Sequence, residues 1–347
     1  MNLTERLAAL VRVVGPVRFS EFMERALYDD DGGFYASGGV AGRRGDFLTS
    51  PEVGPLFGAV LARAIDTWWS ELGSPAAFTV VDAGAGPGTL ARAVLAAQPA
   101  VLTTGALRYV TVERADAQRA NHPAGVRARA DLPDDPFVGV IVANELLDNI
   151  AFDVAVFDGG WRCAHVDERD GRLVEVLAPM PDDLAALAAL LPPSAPHGAR
   201  APLALGAVRW LREARQLVTQ GRIVVIDYGA DTATLVGRPW RDWLRTFRGH
   251  ERGQHPLLEV GAQDITADVP FDQLATVAHP DAVRSQTAFL AAHGIGDLVE
   301  EGRRIWTERA HLGDLAALRA RSRRRESDAL TDPDGLGGFT VAEWARI

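Results

Sequence analysis

From residue 76 onward the chain alternates short runs rich in Val, Ile and Thr with segments of helical periodicity. That alternation predicts an α/β fold: a parallel sheet with crossover helices. Five strands are expected, at Phe78 to Asp82, Arg108 to Glu113, Val126 to Asp131, Val138 to Asn144 and Arg222 to Asp227. Each finishes in or beside an acid, namely Asp82, Glu113, Asp131, Glu145 and Asp227. Open α/β sheets bind ligands at the carboxyl ends of their strands, so the five acids outline a ligand edge. Strand exits also favour Asp for turn chemistry alone.

Residues 145–221 separate the fourth strand from the fifth, far more than a crossover needs, and predict an inserted α+β subdomain. Its apolar runs Phe152 to Phe157, Trp161 to Val166 and Leu173 to Leu177 are divided by two turn signals, Asp158-Gly159-Gly160 and Arg169-Asp170-Gly171, and read as a meander. A helix over Asp182 to Leu191, a linker over Pro192 to Pro202 and a crossover helix over Ala204 to Thr219 follow. The expected organisation is an N-terminal helical and lid region over 1–75, the first half of the core over 76–150, the insertion over 151–203, and the second half of the core over 204–347.

Composition removes several functions. All 36 basic residues are Arg, and a chain without lysine has no Walker phosphate loop, Schiff-base lysine or lysine-anchored kinase site. Cys163 alone makes neither an internal disulfide nor a thiolate metal cluster, and with eight scattered His no metal is expected. A net charge of −10 disfavours sequence-independent binding to nucleic acid or anionic membrane. The basic run Arg319, Arg321, Arg323, Arg324 and Arg325 reads as a solvated helix face. Met1 to Val17 is amphipathic rather than an apolar signal sequence, and no apolar run approaches the ~20 residues of a membrane span. A cytoplasmic location is the expectation.

The segment Val80-Val81-Asp82-Ala83-Gly84-Ala85-Gly86-Pro87-Gly88-Thr89-Leu90 is a strand, a glycine turn and a helix start in that order. Glycines 84 and 86 let the backbone turn tightly and approach a ligand, and the exposed N–H groups of the helix start suit an anion. A dinucleotide fingerprint would place glycine at position 89, where this chain has Thr; the spacing D-x-G-x-G-x-G favours S-adenosylmethionine over NAD. Asp82 is expected to face the ammonium group of that cofactor and its carboxylate to lie at the helix start, beside Gly84, Gly86 and Gly88. Glu113, 25 residues after Gly88, suits both ribose hydroxyls. Asp131 is placed to take the adenine amino group, or is merely a loop acid before Leu132-Pro133.

Together with that motif, Gly45-Asp46-Phe47-Leu48-Thr49-Ser50-Pro51-Glu52-Val53, Asn144-Glu145-Leu146-Leu147-Asp148, Ile226-Asp227-Tyr228-Gly229 and Gln263-Asp264-Ile265-Thr266 make the chain resemble the MidA-type methyltransferases nearly end to end. The resemblance implies a Rossmann-like class I methyltransferase sheet with helices on both faces, closed by an antiparallel last strand near Phe339 to Trp344. It also implies a protein arginine as methyl acceptor, the family including a mitochondrial factor that methylates a subunit of respiratory complex I. A small-molecule acceptor, or a cofactor-binding assembly chaperone without turnover, is the alternative. Two departures fall where that family faces its substrate: Asn149-Ile150-Ala151 after Asp148, and Ala262 before the Gln-Asp-Ile-Thr run.

For a guanidinium acceptor, one or two carboxylates would orient the planar group and aim one nitrogen at the methyl carbon. Glu145 and Asp148 are spaced i, i+3 and would share a face if a helical turn begins there, with Asn144 touching cofactor. Asp46 would come from a lid that keeps water from the sulfonium, or anchors its own loop. Tyr228 would line the acceptor channel.

Overall fold

The computed structural model describes residues 1–36, 49–248 and 251–346. Asp46 and the lid expected around it lie outside the described residues. Contacts divide the chain into two compact units: Met1–Phe47, Leu146–Glu213 and Asp227–His279 form one, and Leu48–Glu145, Ala214–Ile226 and Pro280–Ile347 the other. The chain passes from the second unit to the first between Glu145 and Leu146.

The second unit is built on a seven-stranded sheet. In chain order its strands are β1 (Phe78–Ala83), β2 (Leu107–Val112), β3 (Arg127–Arg129), β4 (Phe137–Asn144), β5 (Val218–Asp227), β6 (Ala282–Ser285) and β7 (Thr340–Arg346), lying side by side as β3-β2-β1-β4-β5-β7-β6. Strands β1 to β5 pair in parallel and β6 with β7 antiparallel. The expected closing strand is present two residues longer at its end, with β6 outside it as the edge.

The sheet is buried on both faces. Phe78, Val80, Val140, Val142, Val224 and Ile226 join one core with the helices Pro55–Glu71, Thr89–Ala96 and Gln286–Ala292. The alternate residues Val81, Ile141, Ile223 and Val225 are also buried. Such double burial requires crossover connections, and it explains why these strands read as nearly continuous apolar runs.

Among the five expected strands, two limits shift by more than one residue. The third strand is shorter than Val126 to Asp131, and the fifth starts at Val218 rather than Arg222, with a register irregularity between Val218 and Gln220. Polar Thr219 and Gln220 hid that start from any apolar pattern, and the crossover helix accordingly ends at Leu217.

The first unit holds the insertion. Asp153–Phe157, Trp161–Arg169 and Arg172–Ala178 form the expected meander. The expected linker is corrected: it contains a strand, Arg200–Leu203, antiparallel to Asp153–Phe157. Its proline, Pro202, read as a breaker, but a strand paired on one side only tolerates a residue without an N–H. The helix expected over Asp182 to Leu191 shrinks to a 3-10 turn, Asp182–Leu184, and Ala185–Ala188. A second small sheet pairs Leu244–Arg248 with Asp264–Ala267, setting Arg245 opposite Thr266.

A close approach at the start of the large sheet restricts its sequence. Gly139 pairs with Thr79 on one side and Gly221 on the other, and a Cβ on it would lie 1.9 Å from the Thr79 carbonyl oxygen. Gly139→Ala should therefore cost on the order of 2–4 kcal/mol in urea unfolding or prevent folding, whereas Gly160→Ala, in open space, should stay within about 0.5 kcal/mol.

Candidate functional site

Strand order reverses at β1, whose two neighbours are β2 and β4, so the crevice beyond the carboxyl ends of β1 and β4 is the switch point of the sheet. The glycine turn leaves β1 at that place. Gly86 and Gly88 have φ of +50° and +77°, left-handed values, and Gly88 precedes the helix Thr89–Ala96. A Cβ on Gly88 would meet His122 Cδ2 at 3.0 Å and Pro123 Cδ at 3.1 Å, and one on Gly86 would meet Gln118 Oε1 at 3.3 Å.

The turn is held open by side chains from beyond β2. Glu113 receives the Gly86 N–H on Oε2 (3.0 Å) and the Ala115 N–H on Oε1 (2.9 Å). His122 sits with Nε2 2.7 Å from the Gly86 carbonyl oxygen and Nδ1 2.8 Å from Thr111 Oγ1. No local pattern announced His122, which lies 36 residues from the glycine it holds.

Two acceptors at the switch point lack a well-formed hydrogen bond among the described residues: Asp82 Oδ2, although the Tyr109 hydroxyl acts on that carboxylate, and Asn144 Oδ1. Asp82 is buried, and burial, with the Glu113 carboxylate second, pushes its pKa up from 3.8 to about 7. Asn144 donates to Glu145 Oε1 (3.1 Å), which also accepts the Ser50 N–H (3.1 Å). Unmet buried acceptors cost roughly 1–3 kcal/mol each, so the crevice is built for a ligand that brings donors. A cradle of left-handed glycines beside two waiting acceptors fits S-adenosylmethionine, with its ammonium and ribose hydroxyls.

The structure thus brings together Asp82, Gly84, Gly86, Gly88, Glu113, Asn144 and Glu145, all in one unit. Asp131 is exposed beyond the shortened β3, and no hydrogen bond or ion pair of its carboxylate is seen among the described residues. The helical turn expected to start at Glu145 is absent, because Glu145 has φ +52° and its N–H continues the strand ladder to the Ile226 carbonyl (2.9 Å). The i, i+3 alignment with Asp148 therefore does not form.

Asp148 belongs to the other unit and to a buried network there. The Asp227 carboxylate accepts the N–H groups of Leu147 (3.0 Å) and Asp148 (3.3 Å), fixing the turn. The Tyr228 hydroxyl donates to Asp148 Oδ2 and lies 2.9 Å from Thr266 Oγ1, while the Arg245 guanidinium lies 4.6 Å from the Tyr228 ring centre. Asp264 accepts from Asn149 Nδ2 (3.1 Å) and Tyr35 (3.3 Å). Burial raises the pKa of Asp148, against the pull of Tyr228 and Arg245. Burial, then Asp148, raises that of Asp264 to about 7. Arg245 and Tyr35 carried no signal in the sequence, since each acts on a residue far along the chain, whereas Asn149 showed only as a departure from the expected motif.

The doubly wound sheet and its glycine cradle define an α/β methyltransferase. Residues 60–288 match the profile of an S-adenosyl-L-methionine-dependent methyltransferase family, and the chain belongs to that family. It is 26% identical over 319 residues to the mitochondrial protein arginine methyltransferase NDUFAF7 homolog of Drosophila melanogaster, covering 80% of this chain and 70% of that one. The mouse protein arginine methyltransferase NDUFAF7 is 28% identical over 305 residues, covering 77% and 67%. A crystal structure of a COG1565 superfamily member from Burkholderia thailandensis, bound to S-adenosyl-homocysteine, superposes with a TM-score of 0.81 at 28% identity over 99% of this chain and 92% of that one. S-adenosylmethionine is accordingly the cofactor.

Protonated Asp82 cannot pair with a cationic ligand group. Because its pKa is raised, the stability it contributes to the ligand-free fold is fully present below its unfolded value near 3.8 and lost as pH rises through about 7. Ligand affinity runs the other way: calorimetry should show S-adenosylhomocysteine binding weakening by up to about tenfold per pH unit below 7 and levelling above it. Asp82→Asn should flatten that profile.

Proposed function

We propose that this methyltransferase modifies an arginine side chain of a partner protein. The observation that carries the reading is Glu145, an acid at the switch point whose left-handed backbone and bonds to Asn144 and Ser50 fix its carboxylate beside the cofactor crevice. The names of the relatives, matched over 77–80% of the chain, support it.

Asp82, Gly84, Gly86, Gly88, Glu113 and Asn144 would hold the cofactor, with Asp131 at the adenine end. When bound, S-adenosylmethionine supplies a methyl group activated by a sulfonium. Catalysis then rests on positioning: in-line displacement at carbon asks the protein to hold the acceptor nitrogen and keep water away, which can supply on the order of 7–11 kcal/mol in the best intramolecular cases. Glu145 would accept guanidinium N–H bonds, orient the planar group and take the proton that the attacking nitrogen sheds as the new N–CH3 bond forms. Asp148, buried and held by Tyr228, would act as a positioning carboxylate.

The test is incubation of the pure protein with methyl-labelled S-adenosylmethionine and cell extract, followed by size separation and acid hydrolysis. Label should run with protein and be recovered as methylarginine; label in small compounds, or in another amino acid, would overturn the reading. With the labelled acceptor in hand, Asp148→Asn should slow single-turnover transfer by roughly ten- to a hundredfold while S-adenosylhomocysteine affinity holds within a few fold.

A further inference from the structure

The first unit contains a cleft of about 190 Å³ lined by Trp240, Arg241, Arg245, Arg252, Gln254 and His255, among others, with three guanidinium groups and no carboxylate in its lining among the described residues. In a chain of net charge −10 that concentration of one sign needs an explanation. Among the described residues neither Arg241 nor Arg252 has an ion-pair partner, and both are exposed. The acid nearest in chemistry, Glu175, is already occupied by Arg200, which grips it with both guanidinium nitrogens, one at 2.7 Å.

Arg241 and Arg252 are held in place without being neutralised among the described residues. Trp240 carries Arg241 over its ring at 5.1 Å and Arg200 at 5.2 Å, and His255 meets it edge-on at 5.7 Å. Stacking fixes the plane of a guanidinium while leaving its N–H edge for an anion. The Arg241 carbonyl accepts from Arg252 Nη1 (3.0 Å), which steadies the second cation. Arg245 is tied to the Asp242 carbonyl (2.8 Å) and to Asp268 (2.7 Å) and reaches from the cleft to the Tyr228 ring. One side chain thus links the cleft to the network that holds Asp148, within a single unit.

We propose that this cleft receives a carboxylate side chain of the protein acceptor, so that the enzyme favours acidic substrate segments; the proposal rests on the protein-arginine reading above. The volume favours this occupant. Pockets that enclose small-molecule ligands span roughly 300–1,000 Å³, whereas one Glu or Asp side chain fits a smaller space. Planar forks of Arg suit a carboxylate bidentately, and the pairing gives direction to a bound peptide as well as affinity.

The probe is a fluorescein-labelled peptide with one arginine followed by three glutamates, titrated by anisotropy beside its glutamine counterpart and a single-stranded RNA oligomer of equal charge. The intact protein should bind the glutamate peptide about tenfold or more tighter than the glutamine one, and the preference should shrink as salt is added. The double variant Arg241→Gln, Arg252→Gln should lose that preference while S-adenosylhomocysteine affinity and the thermal midpoint stay unchanged, and Arg252→Glu should reduce glutamate-peptide binding further. Equal binding of both peptides, a preference that survives in the double variant, or tighter binding of the RNA overturns the proposal. Binding is read apart from transfer, so a failure to form methylarginine would strike the proposed function alone, and the absence of a glutamate preference in the wild type the cleft alone.

Discussion

The Glu113 carboxylate is the contact on which the cofactor end of the molecule depends. One oxygen takes the Gly86 N–H and the other the Ala115 N–H, so a single side chain ties the turn after β1 to the exit of β2. Hydrogen bonds from backbone N–H groups to an ionised acceptor are the strong kind, roughly twice a neutral pair, and here they hold a backbone that only glycine adopts without strain. His122 adds the opposite restraint by engaging the Gly86 carbonyl. The turn is therefore restrained on both its N–H and its carbonyl side by the chain's own side chains.

Buried carboxylates set the chemistry of both units, but in different ways. Asp82 is left with an oxygen unmet and a raised pKa, a state that a cationic ligand relieves. Asp148 and Asp264 are embedded among Tyr228, Thr266, Asn149 and Tyr35, where hydroxyl and amide donors offset part of the desolvation. Asp227 serves neither purpose; it caps the turn that carries Asp148. These four acids thus divide among three physical roles, each decided by the donors that tertiary structure brings to them.

Much of the sheet was legible because double burial writes itself as apolar runs and because β1, its glycine turn and the next helix form one local unit. The acids at strand ends were legible for the same reason. What stayed hidden depended on pairing across the chain. Arg200–Leu203 was masked by Pro202, and the start of β5 by Thr219 and Gln220. Spacing alone placed Glu145 and Asp148 on one helical face, but a left-handed φ at Glu145 carries the strand one residue further and breaks that alignment. Arg245 gained its meaning only from a strand register that sets it opposite Thr266 and beneath Tyr228.

The central claim is that a glycine cradle binds S-adenosylmethionine and not a dinucleotide. Calorimetric titration of the wild type and Gly86→Val with S-adenosylhomocysteine and with NAD tests it most directly. A β-branched side chain at φ +50° would distort the turn and press on Gln118. The account predicts micromolar-range binding of S-adenosylhomocysteine by the wild type, none of NAD, and loss of binding in Gly86→Val; NAD binding without S-adenosylhomocysteine binding, or an unaffected variant, would contradict it.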